Sequence, residues 1–119
     1  MNNDRLYLIH IRECIERIVE YTAKGREAFL TDTRTQDAVL RNLQVMCEST
    51  QRVSKESKAA HPEIDWRGMA GFRNVLAHDY LGVDIRDAWE VAQTRLPGLK
   101  RAVEAMLGEL HPPPDNPGQ

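Results

Sequence analysis

Apolar residues spaced at alternating steps of three and four constrain this chain more than any other feature. Leu8, Ile11, Ile15 and Ile18 follow that rhythm, and Tyr7, Cys14 and Tyr21, each seven apart, widen the stripe. Val39, Leu43, Met46, Thr50 and Val53 repeat it, with Leu40 and Cys47 beside them. That spacing lines one face of an α-helix and cannot line one face of a strand, where the period is two. No stretch alternates apolar and polar residues for long. The opposite face of the first helix carries Arg12 with Glu16, Glu13 with Arg17 and Glu20 with Lys24, all four apart and of opposite sign. The fold class expected is all-α: a helical bundle built on a long antiparallel helix pair, with three shorter helices completing it.

Boundary signals divide the chain further. Asn3 or Asp4 is placed to cap the first helix, and Gly25 to end it. "FLTDTRTQ" then connects the two long helices, with Thr31, Asp32 and Thr33 all suited to cap the second. The second helix runs out in the polar stretch "SKESKAAHPEID", where Pro62 forbids continuation. Asp65 caps a third helix beginning near Trp66. "LGVD" breaks it, with Gly82 as the turn and Asp84 as the next cap. Ile85, Ala88, Trp89 and Ala92 mark the fourth helix, and Pro97 opens the last, with Leu99, Val103, Met106 and Leu107. These signals give one helical domain over residues 1–110 and a proline-rich tail, "HPPPDNPGQ" over 111–119, expected to be disordered.

Charge narrows the function. The net charge of −2 excludes bulk electrostatic coating by nucleic acid, so any RNA contact must rest on a local patch. Cys14 and Cys47 have no metal-site or redox spacing, and each sits on an apolar stripe, so buried reduced thiols are expected. No secretory leader pattern and no membrane-length apolar run is present, and a cytoplasmic location is expected.

"RNVLAHDY", Arg73 to Tyr80, departs from plain amphipathic helix. On a wheel of about 100° per residue, Trp66, Met69, Phe72 and Leu76 form the third helix's apolar stripe, and Arg73 falls on its margin. Arginine is almost never fully buried without a partner. The order round the wheel is Arg73, Ala77, Asn74, His78, so three polar groups share an edge that Ala70 and Ala77 keep low. Singly, each has a structural explanation: arginines snorkel, histidines favour helix C-termini, and Tyr80 suits turn packing. Together they suit a site.

In this stretch and its context the chain resembles the HEPN superfamily, and more closely the HepT-like toxins paired with minimal nucleotidyltransferase antitoxins. Arg73 to Tyr80 looks like the family's R-x4-H-x-Y signature. "FLTDTRTQDAVLRNLQVMCE" is similar to its second-helix region, "IDWRGMAGFRNVLAHDYLGVD" to its motif helix, and "RLPGLK" to the start of its last helix. The likeness spans Asp4 to Glu109, with one departure: Cys47 stands before Glu48 where the family pattern has glycine.

The resemblance implies a metal-independent endoribonuclease toxin that needs no cofactor. Its RNA would be cut by attack of a 2′-hydroxyl on the adjacent phosphorus. That chemistry needs a proton-transfer group working near neutrality, as histidine does, and fixed positive charge on the phosphorane. His78 and Arg73 are the candidate catalytic residues, with Asn74 supporting the histidine or a phosphate oxygen. No carboxylate cluster or Cys/His set resembles a metal site. The resemblance further implies that a partner nucleotidyltransferase antitoxin transfers AMP to Tyr80 and silences the enzyme. Arg73 and His78, five apart on a regular helix, point about 140° from each other. Either the helix ends by His78, or two chains lend their motifs to a shared cleft. The resemblance favours the second, a homodimer. The competing reading is a non-enzymatic helical subunit that binds a nucleotide or the partner nucleotidyltransferase.

Overall fold

The two long stripes face each other. In the computed structural model, which describes residues 3–110 apart from the side chain of Tyr80, α1 (Asp4–Tyr21) and α3 (Thr33–Arg52) pack as an antiparallel pair. Leu8, Ile11, Ile15 and Ile18 of α1 and Val39, Leu43 and Met46 of α3 are each at most 1% exposed. Burial of each such side chain contributes about 1.5–3 kcal/mol. α7 (Leu96–Leu110) covers α1 with Leu99, Val103 and Met106, and its second residue is Pro97, whose missing N–H costs nothing in a first turn. α6 (Ile85–Thr94) lies against α7, and α5 (Trp66–His78) lies against α3. The described residues are all-α, as expected. The proline-rich tail at 111–119 lies outside them.

Two short helices depart from the expected layout, so five shorter helices accompany the long pair among the described residues. The connection at "FLTDTRTQ" contains the end of α2 (Arg26–Thr31), six residues long. Fewer than two turns cannot show a period, which is why the pattern missed it. Phe29 holds α2 in place: it is 1% exposed and packs on the Trp89 ring, centroids 5.5 Å apart. Gly25 precedes α2 at φ +99°, a conformation costly for any residue with a Cβ. Likewise the polar stretch after α3 forms α4 (Lys55–Ala59), none of whose residues is buried. Hydrogen bonds hold α4 instead: Ser54 Oγ accepts from Ser57 N, and Lys58 Nζ donates to the Thr50 carbonyl at 3.1 Å.

The caps resolve unevenly. Asp32, Asp65 and Asp84 cap α3, α5 and α6 through their carboxylates. The N-cap position of α1 is Asn3, but its side chain makes no capping bond, and Asp4 does not cap α1 either. Asp4 is 3% exposed and accepts from Ser54 N at 2.8 Å, Ser54 Oγ at 2.6 Å and Ser57 Oγ at 2.6 Å. It ties the start of α1 to the start of α4, some fifty residues away in sequence. Cys14 and Cys47 are buried free thiols, and burial pushes Cys47 up to about 12.

His61, 9% exposed, joins the α4–α5 connection to the end of α7. Its Nδ1 lies 3.2 Å from Glu63 Oε2 and its Nε2 3.0 Å from Glu109 Oε1. Burial works to lower the ring's pKa, but the bonds and charges of Glu63 and Glu109 outweigh it, and the net shift is upward from 6.5. The folded state therefore favours the protonated ring. Its contribution is fully present below about pH 6.5, the unfolded value, and is lost as pH rises through the folded value. The melting-temperature advantage of wild type over His61→Gln is expected to be largest near pH 6 and to shrink toward pH 8.5. A difference that stays constant over that range would overturn this account.

Candidate active site

α5 carries the motif, and its ends are fixed on both sides. At the start, Asp65 Oδ1 accepts from Gly68 N at 2.9 Å, and Asp65 Oδ2 lies 3.6 Å from Arg95 Nη1 at the α6–α7 junction. Trp66 Nε1 donates to the carbonyls of Lys58 and His61, both at 3.0 Å, which joins α5 to the α4 end. Along the helix, Leu76 is 1% exposed, and Trp66, Met69 and Phe72 pack half-buried against the core. At the far end, Asp79 N donates to the Val75 carbonyl at 2.8 Å, and a 3₁₀ turn (Tyr80–Gly82) follows. The Asp79 carboxylate sits where a Cβ on residue 82 would be, which suits glycine there.

Arg73 lies at the margin of the apolar stripe, as its wheel position implied, and is half-buried. Its Nη1 donates to Asn74 Oδ1 at 3.1 Å, while its Nε is buried with no hydrogen-bond partner. Nearly all buried polar groups are paired, so an orphaned guanidinium nitrogen asks for an explanation. An anion or a second chain that reached this margin would supply one.

Asn74 is exposed and engages Arg73. His78 is the last residue of α5 and is exposed, and among the described residues its ring makes no hydrogen bond or ion pair. The structure thus brings Arg73 and Asn74 together and leaves His78 apart. Because α5 is helical through His78, the two basic side chains diverge by about 140°. The side chain of Tyr80 lies outside the described residues.

A groove of about 340 Å³ opens between α3, α5 and the α6–α7 junction, over Met46, Cys47, Met69, Phe72 and Leu96. None of Arg73, Asn74 and His78 lines it. Asn74 and His78 lie instead on the exposed side of α5, with Arg73 at its margin. Among the described residues no three His, Cys, Asp or Glu side chains are grouped to hold a metal ion, and no helix is long and apolar enough to cross a membrane.

The composition of α5 is also distinctive. Among the α-helices of the described residues it alone carries no aspartate or glutamate. The stretch from Trp66 to His78 is free of acids in the sequence, but so is the equally long stretch from Val91 to Val103, which spans two helices, so the helix boundaries are what single α5 out.

Comparison with known proteins bears on the same segment. Residues 11–106 match the family model described as ribonuclease HepT-like. A Thermococcus cleftensis protein named "Probable ribonuclease HepT" is 42% identical over 84% of this chain and 92% of its own length. A Caldanaerobacter subterraneus subsp. tengcongensis protein named "Putative RNase" is 33% identical over 90% of this chain and 96% of its own length. A Methanocaldococcus jannaschii protein named "Gamma-glutamylcyclotransferase and putative RNase" is 36% identical over 89% of this chain, which covers 48% of that protein. No solved structure matches the chain. With a family model spanning the core helices and α5, and a relative of such identity matched over nearly its whole length, the chain belongs to the HepT-like ribonuclease family.

Proposed function

We propose that this chain is a metal-independent endoribonuclease, the toxin of a toxin–antitoxin pair, and that it acts as a homodimer in the cytoplasm. Family membership and the relatives' names support RNA as the substrate. The structural observation that carries the mechanism is Arg73, a half-buried guanidinium with a buried, unpaired Nε on the motif helix.

In the proposed reaction an RNA 2′-oxygen attacks the adjacent phosphorus. The bond from phosphorus to the 5′-oxygen breaks, leaving a 2′,3′-cyclic phosphate and a 5′-hydroxyl. His78 takes the proton from the 2′-hydroxyl or delivers one to the leaving oxygen. Arg73 places charge-assisted donors on the phosphorane oxygens, and Asn74 holds the guanidinium in orientation. The divergence of Arg73 and His78 supports a cleft shared by two copies, with Arg73 from one and His78 from the other. Ala70 and Ala77 lie on the edge between these residues and would let two α5 helices approach.

Control by the partner antitoxin, a minimal nucleotidyltransferase, follows the same charge logic. AMP transferred from ATP to the Tyr80 hydroxyl, with pyrophosphate released and the phenolic proton lost, would add a negative phosphodiester two residues beyond His78 and a nucleoside that competes with RNA.

The test uses the purified chain. RNA cleavage is expected to persist in EDTA and to leave cyclic phosphate ends or their hydrolysis product. Activity lost in EDTA and restored by Mg²⁺ would refute the metal-independent route. Incubation with the cognate partner, ATP and Mg²⁺ is expected to add AMP mass to Tyr80 and stop cleavage, and Tyr80→Phe is expected to stay active and escape. Silencing of Tyr80→Phe by the partner would remove Tyr80 from this role.

A further inference from the structure

The acid-free surface of α5 extends beyond the motif. At about 100° per residue, Arg67, Gly71, Asn74 and His78 fall within about 60° of one another, on the face opposite buried Leu76. All four are exposed. At about 1.5 Å rise per residue, Arg67 lies roughly 10 Å from Asn74 and 16 Å from His78 along the axis. Nothing obstructs the face between them: a Cβ added at Gly71 would meet no atom within 4 Å.

Arg67 is also electrostatically uncommitted. Among the described residues it makes no hydrogen bond or ion pair. Two arginines on the following elements are committed, Arg86 to Asp84 at 3.1 Å and Arg95 to Asp65 at 3.6 Å. The Arg95 pairing also partly neutralises Asp65, the carboxylate two residues before Arg67. An exposed arginine with no partner, in line with Asn74 and His78 on a helix without acids, offers its fork to an anion on the same path.

We infer that Arg67 binds a backbone phosphate of the RNA, more than one nucleotide from the bond His78 acts on, so that α5 tracks a single strand along its length. The inference rests on the ribonuclease reading. Such a contact fixes register and adds affinity without reading sequence. It also explains how a chain of net charge −2 holds RNA: the contact surface is the helix without acids.

The experiment measures binding of a short labelled single-stranded RNA to full-length protein carrying His78→Ala, so that RNA is not consumed, across a series of salt concentrations. Adding Arg67→Gln is expected to weaken binding several-fold and to lower the slope of log K against log salt by about 0.7, the loss of one phosphate contact on a single strand. Arg67→Lys is expected to retain the slope, and Arg101→Gln, an exposed arginine on α7, is expected to change nothing. With a dinucleotide, too short to span from His78 to Arg67, Arg67→Gln and its parent are expected to bind alike. Equal affinity and slope for Arg67→Gln on the longer RNA would overturn the assignment alone, as would an equal loss on the dinucleotide, which would mark a local structural effect. If the parent binds no RNA even at low salt, the ribonuclease reading falls and Arg67 with it.

Discussion

Alanine at His78 is expected to lower RNA cleavage by about 10²–10⁴-fold, the range typical of a positioned proton-transfer group. Alanine at Arg73 is expected to lower it by about 10²–10³-fold, through lost stabilisation of charge on the phosphorane. His78 is exposed and unpaired among the described residues, so its removal leaves the core untouched and the loss should appear in rate rather than stability. Mixing the two inactive variants then tests the shared cleft. In a symmetric dimer with Arg73 from one copy and His78 from the other, each mixed dimer holds one intact site and one doubly damaged site. Random exchange of subunits makes about half the dimers mixed, so recovery should approach a quarter of wild-type activity. No recovery after denaturation and joint refolding would place both groups within one chain. Activity that survives His78→Ala would remove the histidine from the chemistry altogether.

The second large effect concerns how α5 is held. Its principal contact with the helical core is α3, and Leu76 is the one residue of α5 buried almost completely. Leu76→Ala removes that anchor and leaves a cavity, at an expected cost of about 2–5 kcal/mol. Domains of this size have about 5–15 kcal/mol in total, so a large fraction of the stability would go. Urea titration should show the midpoint falling with little change in slope. A loss under about 1 kcal/mol would show that Trp66, Met69 and Phe72 suffice to dock the helix. Cleavage measured well below the shifted transition should fall far less than in His78→Ala, because Leu76 faces away from His78 and touches the chemistry only through the packing beside Arg73. That contrast separates holding the helix from doing chemistry on it.

The sequence by itself determined the all-α class, the α1–α3 pair, the caps at Asp65 and Asp84, and the placement of Arg73, Asn74 and His78 on one helix, and it left Asp32 as one of three candidate caps for α3. These follow from local geometry: a period of 3.6 and a carboxylate preceding free amides are set within a few residues. That α5 alone lacks acids needed the helix boundaries as well, since residues 91–103 are equally free of them. Tertiary structure alone decided the rest. α2 exists because Phe29 finds Trp89 some sixty residues on, and six residues carry no period of their own. Asp4 is a buried tie and not a cap because Ser54 and Ser57 supply its donors from across the fold. Arg73 was visible as an oddity on an apolar margin, but that its Nε is buried and unpaired while Asn74 takes its Nη1 required knowing what packs around α5. A periodic pattern says which way a side chain faces; what it meets there is set by segments distant in sequence, through packing that no local pattern encodes.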